Sequence, residues 1–322
     1  MSLVAYKDAR PWARSIRDMV ANRQMPPWGA DSHPGQFSND RRLSQQDVDT
    51  ILAWVDQGAK EGNLKDLPAA PAFADESGWI IGKPDVVLTM LQAQTVEPNG
   101  PDQYLYYTIP TNFTEDKYVQ AAEIKPGNKR VVHHIIAFIM TKEQAATMKN
   151  GFHAPRDSSR SAIFYQDGTL NRVKMDAPVN DDGCNSPNQG SAFGSNSRGD
   201  GGVGALLAGY APGMDVTVLP PGSAIKIPAG ASIIFQVHYS NFRGAENKTE
   251  QDRSSVGLIF SKQPASEIKE VVRTHAVANH YFKLPAGDPD HQVSACFNFN
   301  QDTRIISYMP HMHLRGKDMR YD

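Results

Sequence analysis

Histidines cluster in three short segments of the sequence, and their spacing is that of metal ligands. His133 and His134 are adjacent in the run Val-Val-His-His-Ile-Ile-Ala-Phe, and His238 lies near the end of Ile-Ile-Phe-Gln-Val-His-Tyr. His311 and His313 form a His-x-His pair. Neutral imidazoles bind copper, zinc, nickel and iron, and three of them with an open coordination position make a catalytic site. The pattern predicts a metal centre, and a redox-inert zinc site competes with copper.

The paired histidines place different demands on the strands that carry them. Residues i and i+2 of a strand point to the same face, so His311 and His313 can bind one ion without any backbone rearrangement. Adjacent residues point to opposite faces, so His133 and His134 bind one ion together only if the strand bulges or twists there. Otherwise one of them is a ligand and the other packs or makes a hydrogen bond. His238 taken alone also fits a satisfied core histidine.

The elements that must position these residues are of two kinds, and the first is helical. Residues 1–66 carry apolar side chains at helical spacing. A first helix is predicted over residues 8–24 and ends before Pro26. Ser44 is predicted to cap a second helix, which ends at Gly58.

The second kind is β structure, which begins after a linker at residues 67–83. Short β-rich runs separated by turn residues predict antiparallel β-sandwich domains. The predicted strands are Tyr104–Ile109, Tyr118–Ile124, Val131–Ile139, Ala224–Ile227, Ser232–Tyr239, Ser255–Phe260, Gln292–Phe299 and Arg304–Tyr308. A repeated Pro-Ala-Gly turn before two of the histidine segments suggests two related domains in tandem, at residues 84–243 and 244–322. A polar loop at residues 180–204 is predicted to be a surface excursion.

Overall composition excludes several classes of protein. The 322 residues are 40% hydrophobic, which is enough for a core and too much for a disordered chain. Lys and Arg total 33 against 35 Asp and Glu, so the formal net charge of -2 offers no basic face to nucleic acid. No apolar run reaches the roughly 18 residues that a membrane span needs. The phosphate-binding Gly-x-x-x-x-Gly-Lys-Ser/Thr motif and the Gly-x-Ser-x-Gly motif of hydrolases are both absent.

Three motifs in a fixed order resemble those of the copper type II, ascorbate-dependent monooxygenases. They are Val-Val-His-His-Ile-Ile-Ala-Phe, Phe-Gln-Val-His-Tyr-Ser-Asn and His-Met-His-Leu-Arg-Gly-Lys. This family includes peptidylglycine α-hydroxylating monooxygenase and dopamine β-hydroxylase, and bacterial relatives are the most similar. The resemblance covers residues 84–322 and implies two tandem jelly-roll-like β domains, each with one copper. The implied ligands are His133, His134 and His238 for the first copper, and His311, His313 and a later methionine for the second.

The activity implied by this resemblance is hydroxylation of a C–H bond, with O₂ and with ascorbate or another electron donor. The copper with two histidines and one methionine activates O₂, and the copper with three histidines stores and delivers an electron. The substrate is a small molecule or a peptide. The family's methionine ligand lies beyond residue 322, and nothing marks Met319 as its equivalent, so we expect the chain as given to turn over poorly. A non-catalytic periplasmic copper-binding or electron-transfer protein is the alternative, and a binding module with structural histidines is another.

The helical segment carries a second resemblance. Arg23-Gln-Met-Pro-Pro-Trp is similar to the distal-ligand segment of small bacterial c-type cytochrome domains, which implies Met25 as an axial haem ligand. The sequence contains no Cys-x-x-Cys-His, so haem is expected only in a longer protein, where it would feed electrons to copper. Copper and haem together imply a periplasmic or extracytoplasmic location. The family's second domain contains disulfides, which implies a partner for Cys296 downstream of residue 322, and a bridge from Cys296 to Cys184 is the alternative.

Overall fold

The computed structural model divides the chain into two compact units, Met1–Ala72 and Phe73–Asp322. The described residues are 3, 5–33, 35–67, 78–98, 102–147, 163–166, 169–172, 184, 205–240, 248–274, 277, 279, 282–299, 301–310, 312 and 315–322. Among them, no helix is long and apolar enough to cross a membrane.

The first unit is helical, as the sequence predicts. Its elements are α1 (Tyr6–Ala9), a 3₁₀ turn (Arg10–Trp12), α2 (Ala13–Ala21), α3 (Gln45–Asp56) and a second 3₁₀ turn (Leu64–Asp66). The predicted first helix is interrupted at Pro11, because a proline nitrogen cannot donate the hydrogen bond that continues an α-helix. Ser44 caps α3 as predicted, since its hydroxyl accepts a hydrogen bond from the backbone N–H of Asp47 at 3.1 Å. Gly58 follows α3 with a φ of 91°.

The helices α2 and α3 lie in contact with each other. Val20 of α2 and Val48 of α3 are both buried. The guanidinium of Arg17 meets the carboxylate of Asp56 at 2.9 Å. This unit has few buried apolar residues, so packing stabilises it only modestly.

The second unit is mainly β, in agreement with the sequence analysis. Its strands are β1 (Val86–Thr89), β2 (Gln94–Val96), β3 (Gln103–Pro110), β4 (Lys117–Lys125), β5 (Val132–Met140), β6 (Ile163–Gln166), β7 (Thr169–Arg172), β8 (Ala205–Tyr210), β9 (Thr217–Val218), β10 (Ser223–Ile227), β11 (Ser232–Tyr239), β12 (Glu250–Asp252), β13 (Ser255–Phe260) and β14 (Glu270–Val271). A short helix, α4 (Lys142–Thr147), follows β5, and a 3₁₀ turn (Ala265–Glu267) follows β13. Six of the eight predicted strands are present, with ends within one residue of the prediction.

Two sheets pack against each other around one core. The larger sheet has the order β1-β13-β4-β10-β14, with β9 also paired to β4, and the smaller has the order β3-β11-β5-β8. Pairing is antiparallel except between β10 and β14. Val119 and Leu258 of the larger sheet share a buried cluster with Ile135 and Phe235 of the smaller one. Two-strand pairs, β2 with β12 and β6 with β7, complete the unit.

The strand β13 belongs to this first sandwich. The sequence pattern predicts this strand to lie in a second domain that begins at residue 244. In the structure, β13 lies between β1 and β4 of the six-stranded sheet. The first sandwich therefore extends past residue 243, because β13 forms hydrogen bonds with both β1 and β4.

The predictions of strands at Gln292–Phe299 and Arg304–Tyr308 are wrong. Within the described residues 282–299 and 301–310 there is only an isolated bridge at Ser294. Phe299 and Ile305 are exposed, so their apolar alternation faces no core. Apolar alternation predicts a strand only where a neighbouring strand forms hydrogen bonds with the backbone and a core buries the apolar side chains.

The two cysteines pair with each other. Cys184 and Cys296 form a disulfide whose Cα atoms lie 4.6 Å apart and which spans 112 residues of sequence. Of the alternatives that the sequence left open for Cys296, the structure thus selects Cys184. Apart from Cys184, the polar loop predicted at residues 180–204 lies outside the described residues.

Candidate metal centre

A β-bulge brings the adjacent histidines to one side of the four-stranded sheet. His238 of β11 pairs with His134 of β5, but the next residue, Tyr239, pairs with Val132. His133 is therefore the extra residue of a bulge, and a bulge re-aims the side chains of the strand that contains it. Such a bulge, or a twist, is the condition under which His133 and His134 were expected to share one ion.

The three imidazoles converge through the same nitrogen. The Nδ1 atoms of His133 and His134 are 3.1 Å apart, and those of His134 and His238 are 3.4 Å apart. All three residues present candidate ligand atoms within 4.8 Å of one another. Two nitrogens bound about 2.0–2.1 Å from one ion at a tetrahedral angle would lie about 3.3–3.4 Å apart. The residues present therefore fit a three-histidine metal site.

Hydrogen bonding among the rings does not explain this cluster as well as a cation does. A neutral imidazole has one protonated nitrogen and one lone pair. The Nδ1 of His134 faces two other Nδ1 atoms, yet it carries at most one proton and so can satisfy only one of them by donation. A metal ion accepts all three lone pairs at once.

Two residues at the start of β3 hold the imidazole of His238. Tyr104 pairs with His238 in the sheet, and its ring stacks on the imidazole with centroids 4.2 Å apart and planes within 12°. The carboxylate of Asp102 lies 2.9 Å from Nε2 of His238. Burial raises the pKa of the Tyr104 phenol, and the charge of Asp102 adds to this effect. His238 is therefore held both on its face and at the edge opposite Nδ1.

The three histidines of the centre differ in their exposure to solvent. His133 is exposed, His134 is partly buried, and only 7% of His238 is exposed. The same face of the sheet continues into a buried apolar cluster with Phe138 and Ile234. An ion would reach the centre from the side of His133, while the apolar side lowers the local dielectric constant and strengthens electrostatic interactions.

A buried carboxylate fixes the turn that leads into the bulge. Asp252 accepts hydrogen bonds from the hydroxyl of Tyr239 at 2.8 Å and from the hydroxyl of Ser254 at 2.8 Å. It also accepts one from the backbone N–H of Asn128 at 2.8 Å. The carbonyl of Asn128 in turn accepts from the backbone N–H of Val132, at 3.1 Å. The core side of the sandwich thus holds the backbone from which the bulge starts.

Comparison with protein-family models gives no match. Comparison with curated proteins gives no match either. What the centre can do is therefore inferred from its ligand set and from the three motifs.

The other site residues predicted from the sequence are His311, His313 and Met25. His311 and His313 lie outside the described residues, so their pairing stays a prediction. Met25 lies in the helical unit, where 39% of it is exposed.

Asp102 and Tyr104 are not among the site residues predicted from the sequence. Both are more than 130 positions from His238, with which they pair only through the β3–β11 register. The local signal is weak, because an acidic residue and an aromatic residue at alternate positions are common at the start of a strand.

Proposed function

We propose that this protein is a copper-dependent, monooxygenase-like oxidoreductase that hydroxylates a C–H bond. In the overall reaction, one oxygen atom of O₂ enters the C–H bond to give an alcohol, and the other leaves as water. Two electrons and two protons balance this reaction, with ascorbate or another external donor as the source of the electrons. The substrate is a small molecule or a peptide.

The convergence of three Nδ1 atoms across the bulge is the observation that carries this proposal. Three neutral imidazoles suit both copper and zinc. The order of the three histidine motifs, which resembles that of the copper monooxygenases, favours copper.

The residues of the centre have three roles, which are binding of the metal, access for an electron donor and exclusion of water. His133, His134 and His238 would hold copper through Nδ1, and the bound ion would supply one-electron chemistry by cycling between Cu(II) and Cu(I). The exposed ring of His133 leaves one side open to an electron donor. The ring of Tyr104 covers His238 and keeps water from its face.

A second copper centre is part of the proposal. Its ligands would be His311, His313 and a methionine thioether, a soft ligand that favours Cu(I). By resemblance, O₂ is activated at this second centre, and the three-histidine centre supplies the electron. A jelly-roll topology in two tandem domains belongs to the same proposal.

Electron supply by a c-type haem is proposed for a longer form of the protein. Met25 is 39% exposed, so its thioether is accessible to a haem iron. Nearby in sequence, Nε1 of Trp28 and Oγ of Ser32 are buried without a hydrogen-bond partner among the described residues. These orphaned atoms favour a further polar group beside this segment, as a haem would provide.

We also propose a periplasmic or other extracytoplasmic location. The Cys184–Cys296 disulfide supports this, because disulfides persist in oxidising compartments and are rare in the cytosol. Copper redox chemistry is compatible with the same compartments.

Copper loading tests the proposal directly. The protein is loaded with copper and, separately, with zinc, and metal content and the EPR spectrum are measured. We expect about one tightly bound copper with a type II signal from the three-histidine centre. His134→Ala should lose that copper, because it removes the nitrogen that lies between the other two. His33→Ala is the matched control and should keep it, since His33 is an exposed histidine of the helical unit.

The outcomes separate the candidate functions. A second bound copper would indicate that the His-x-His pair also binds. Zinc preference, or copper that survives in His134→Ala, contradicts the redox proposal. Ascorbate-dependent O₂ consumption coupled to product, in a form that includes the methionine ligand, distinguishes the oxygenase from a copper carrier. The carrier remains the second candidate because the described residues assemble one partly exposed centre.

A further inference from the structure

The carboxylate of Asp102 makes a polar contact with the far edge of the His238 ring. Its Oδ2 is 2.9 Å from Nε2 of His238. The ring is almost completely buried, whereas 49% of the Asp102 side chain is exposed. The carboxylate thus reaches from the surface to the inner edge of the centre.

This contact determines which nitrogen of His238 carries the proton. An ionised carboxylate is an acceptor only, so Nε2 must be the donor. In the neutral imidazole the lone pair is then on Nδ1, the nitrogen that faces His134 at 3.4 Å. A carboxylate on the remote nitrogen also increases the basicity of a ligating imidazole.

The position of Asp102 is built into the sheet. Tyr104 pairs with His238, and Asp102 lies two residues earlier, so both side chains are on the face of the sheet that carries His238. Stacking by Tyr104 fixes the plane of the ring, with planes within 12° of parallel. The carboxylate then fixes the direction of the ring within that plane.

We infer that Asp102 is a positioning residue of the three-histidine centre. It holds His238 in the Nε2-protonated tautomer, with Nδ1 directed at the ion, and it makes this ligand more electron-rich. This role rests on the proposed function in that it concerns the same centre. The ligand it serves is a divalent transition metal, and copper is the expected one.

Four variants and two kinds of measurement test this inference. Asp102→Ala removes the acceptor, Asp102→Asn keeps its shape without charge, and Asp102→Glu keeps the charge. Glu115→Ala removes a surface carboxylate that pairs with Lys117 and serves as the matched control. Copper affinity is measured by competition with a chelator, and the Cu(II)/Cu(I) potential by redox titration.

We expect Asp102→Ala to weaken copper binding about 10–100-fold, the usual effect of removing such a partner. Asp102→Asn should fall between Asp102→Ala and the wild type, and Asp102→Glu should restore binding. The potential should become more positive in Asp102→Ala, by about 59 mV for each tenfold loss of Cu(II) affinity relative to Cu(I). Glu115→Ala should change neither quantity. Equal affinity and potential in all variants would overturn the inference.

A measurement on the metal-free protein separates this inference from the proposed function. Imidazole ¹⁵N chemical shifts, assigned to His238 by comparison with His238→Ala, report its tautomer. We expect one Nε2-protonated form in the wild type and a mixture in Asp102→Ala. If the wild type binds no copper, the proposed function fails, while these shifts still decide the role of Asp102. An unchanged tautomer in Asp102→Ala contradicts that role.

Discussion

At the scale of single residues, burial decides which protonation states the sandwich tolerates. The hydroxyl of Tyr107 donates to the side-chain oxygen of Gln94 at 2.8 Å, and it is also hydrogen-bonded to Tyr239. Burial raises the pKa of Tyr107 to about 12. Ionisation of this phenol would place a charge between the sheets without a cation to pair with it, so the fold favours the neutral form.

Alkaline pH should therefore destabilise the protein through Tyr107. The unfolded phenol ionises near pH 10, so its contribution is fully present below about pH 10. That contribution is lost as the pH rises toward the folded pKa of about 12. Urea unfolding measured between neutral and alkaline pH should show a falling free energy of unfolding. Tyr107→Phe should flatten this dependence while lowering stability at neutral pH, and an unchanged alkaline slope in that variant would contradict the assignment.

At the scale of elements, the turn before β5 determines where the bulge forms. Gly127 packs directly on the backbone of Arg253, where an added Cβ would lie 2.6 Å from the nitrogen. The next residue, Asn128, is held by the buried carboxylate of Asp252. Because His133 follows this turn by only a few residues, a shift of the turn would move the first histidine of the centre.

Gly127→Ala is expected to destabilise the sandwich and to weaken copper binding together. Overpacking against backbone costs about 1–3 kcal/mol, since the backbone of Arg253 cannot rotate away. Gly209→Ala in β8 is the matched control, because the nearest atom to its added Cβ would be the terminal methyl of the exposed Met214 side chain at 3.0 Å, and the nearest backbone atom, the oxygen of Ile135, would lie at an ordinary contact distance of 3.9 Å. Urea unfolding and chelator competition measure the two effects. If Gly127→Ala binds copper as tightly as the control, the turn does not position the bulge.

The sequence predicted which three histidines could share a metal ion better than it predicted the surroundings of these histidines. The strand β11 was recognised with the bounds that the structure has, because its apolar run and turn signals are local. The bulge at His133 was stated only as a condition, since strand parity alone cannot locate an extra residue. Asp102 was missed because its contact with His238 depends on the long-range register of two strands. The predictions of two strands after residue 282 were wrong for a similar reason, because a local apolar pattern does not supply the partner strand that a sheet requires.

At the scale of the whole molecule, a disulfide connects parts of the second unit that share no sheet. Cys184 lies in the stretch between β7 and β8, and Cys296 lies after β14 in a stretch whose described residues form no regular strand. Surface ion pairs also involve the segment after β14, among them Arg304 with Glu270 and Lys317 with Asp290. Exposed ion pairs contribute little, so the covalent bond is the strongest of these ties.

Reduction of this disulfide should lower the free energy of unfolding of the second unit. The bond closes a loop of 112 residues that contains β8 to β14, and constraint of the unfolded chain by such a bond typically contributes about 2–4 kcal/mol. Metal-free protein should be used, because a thiol reductant would also reduce bound copper. Urea unfolding with and without reductant measures the difference in the free energy of unfolding. The Cys184→Ser/Cys296→Ser double variant should have the stability of the reduced protein, and adding reductant should not change it. Equal midpoints for the oxidised and reduced wild type would show that the bridge leaves the sandwich unaffected, because the segment around Cys296 would then unfold independently.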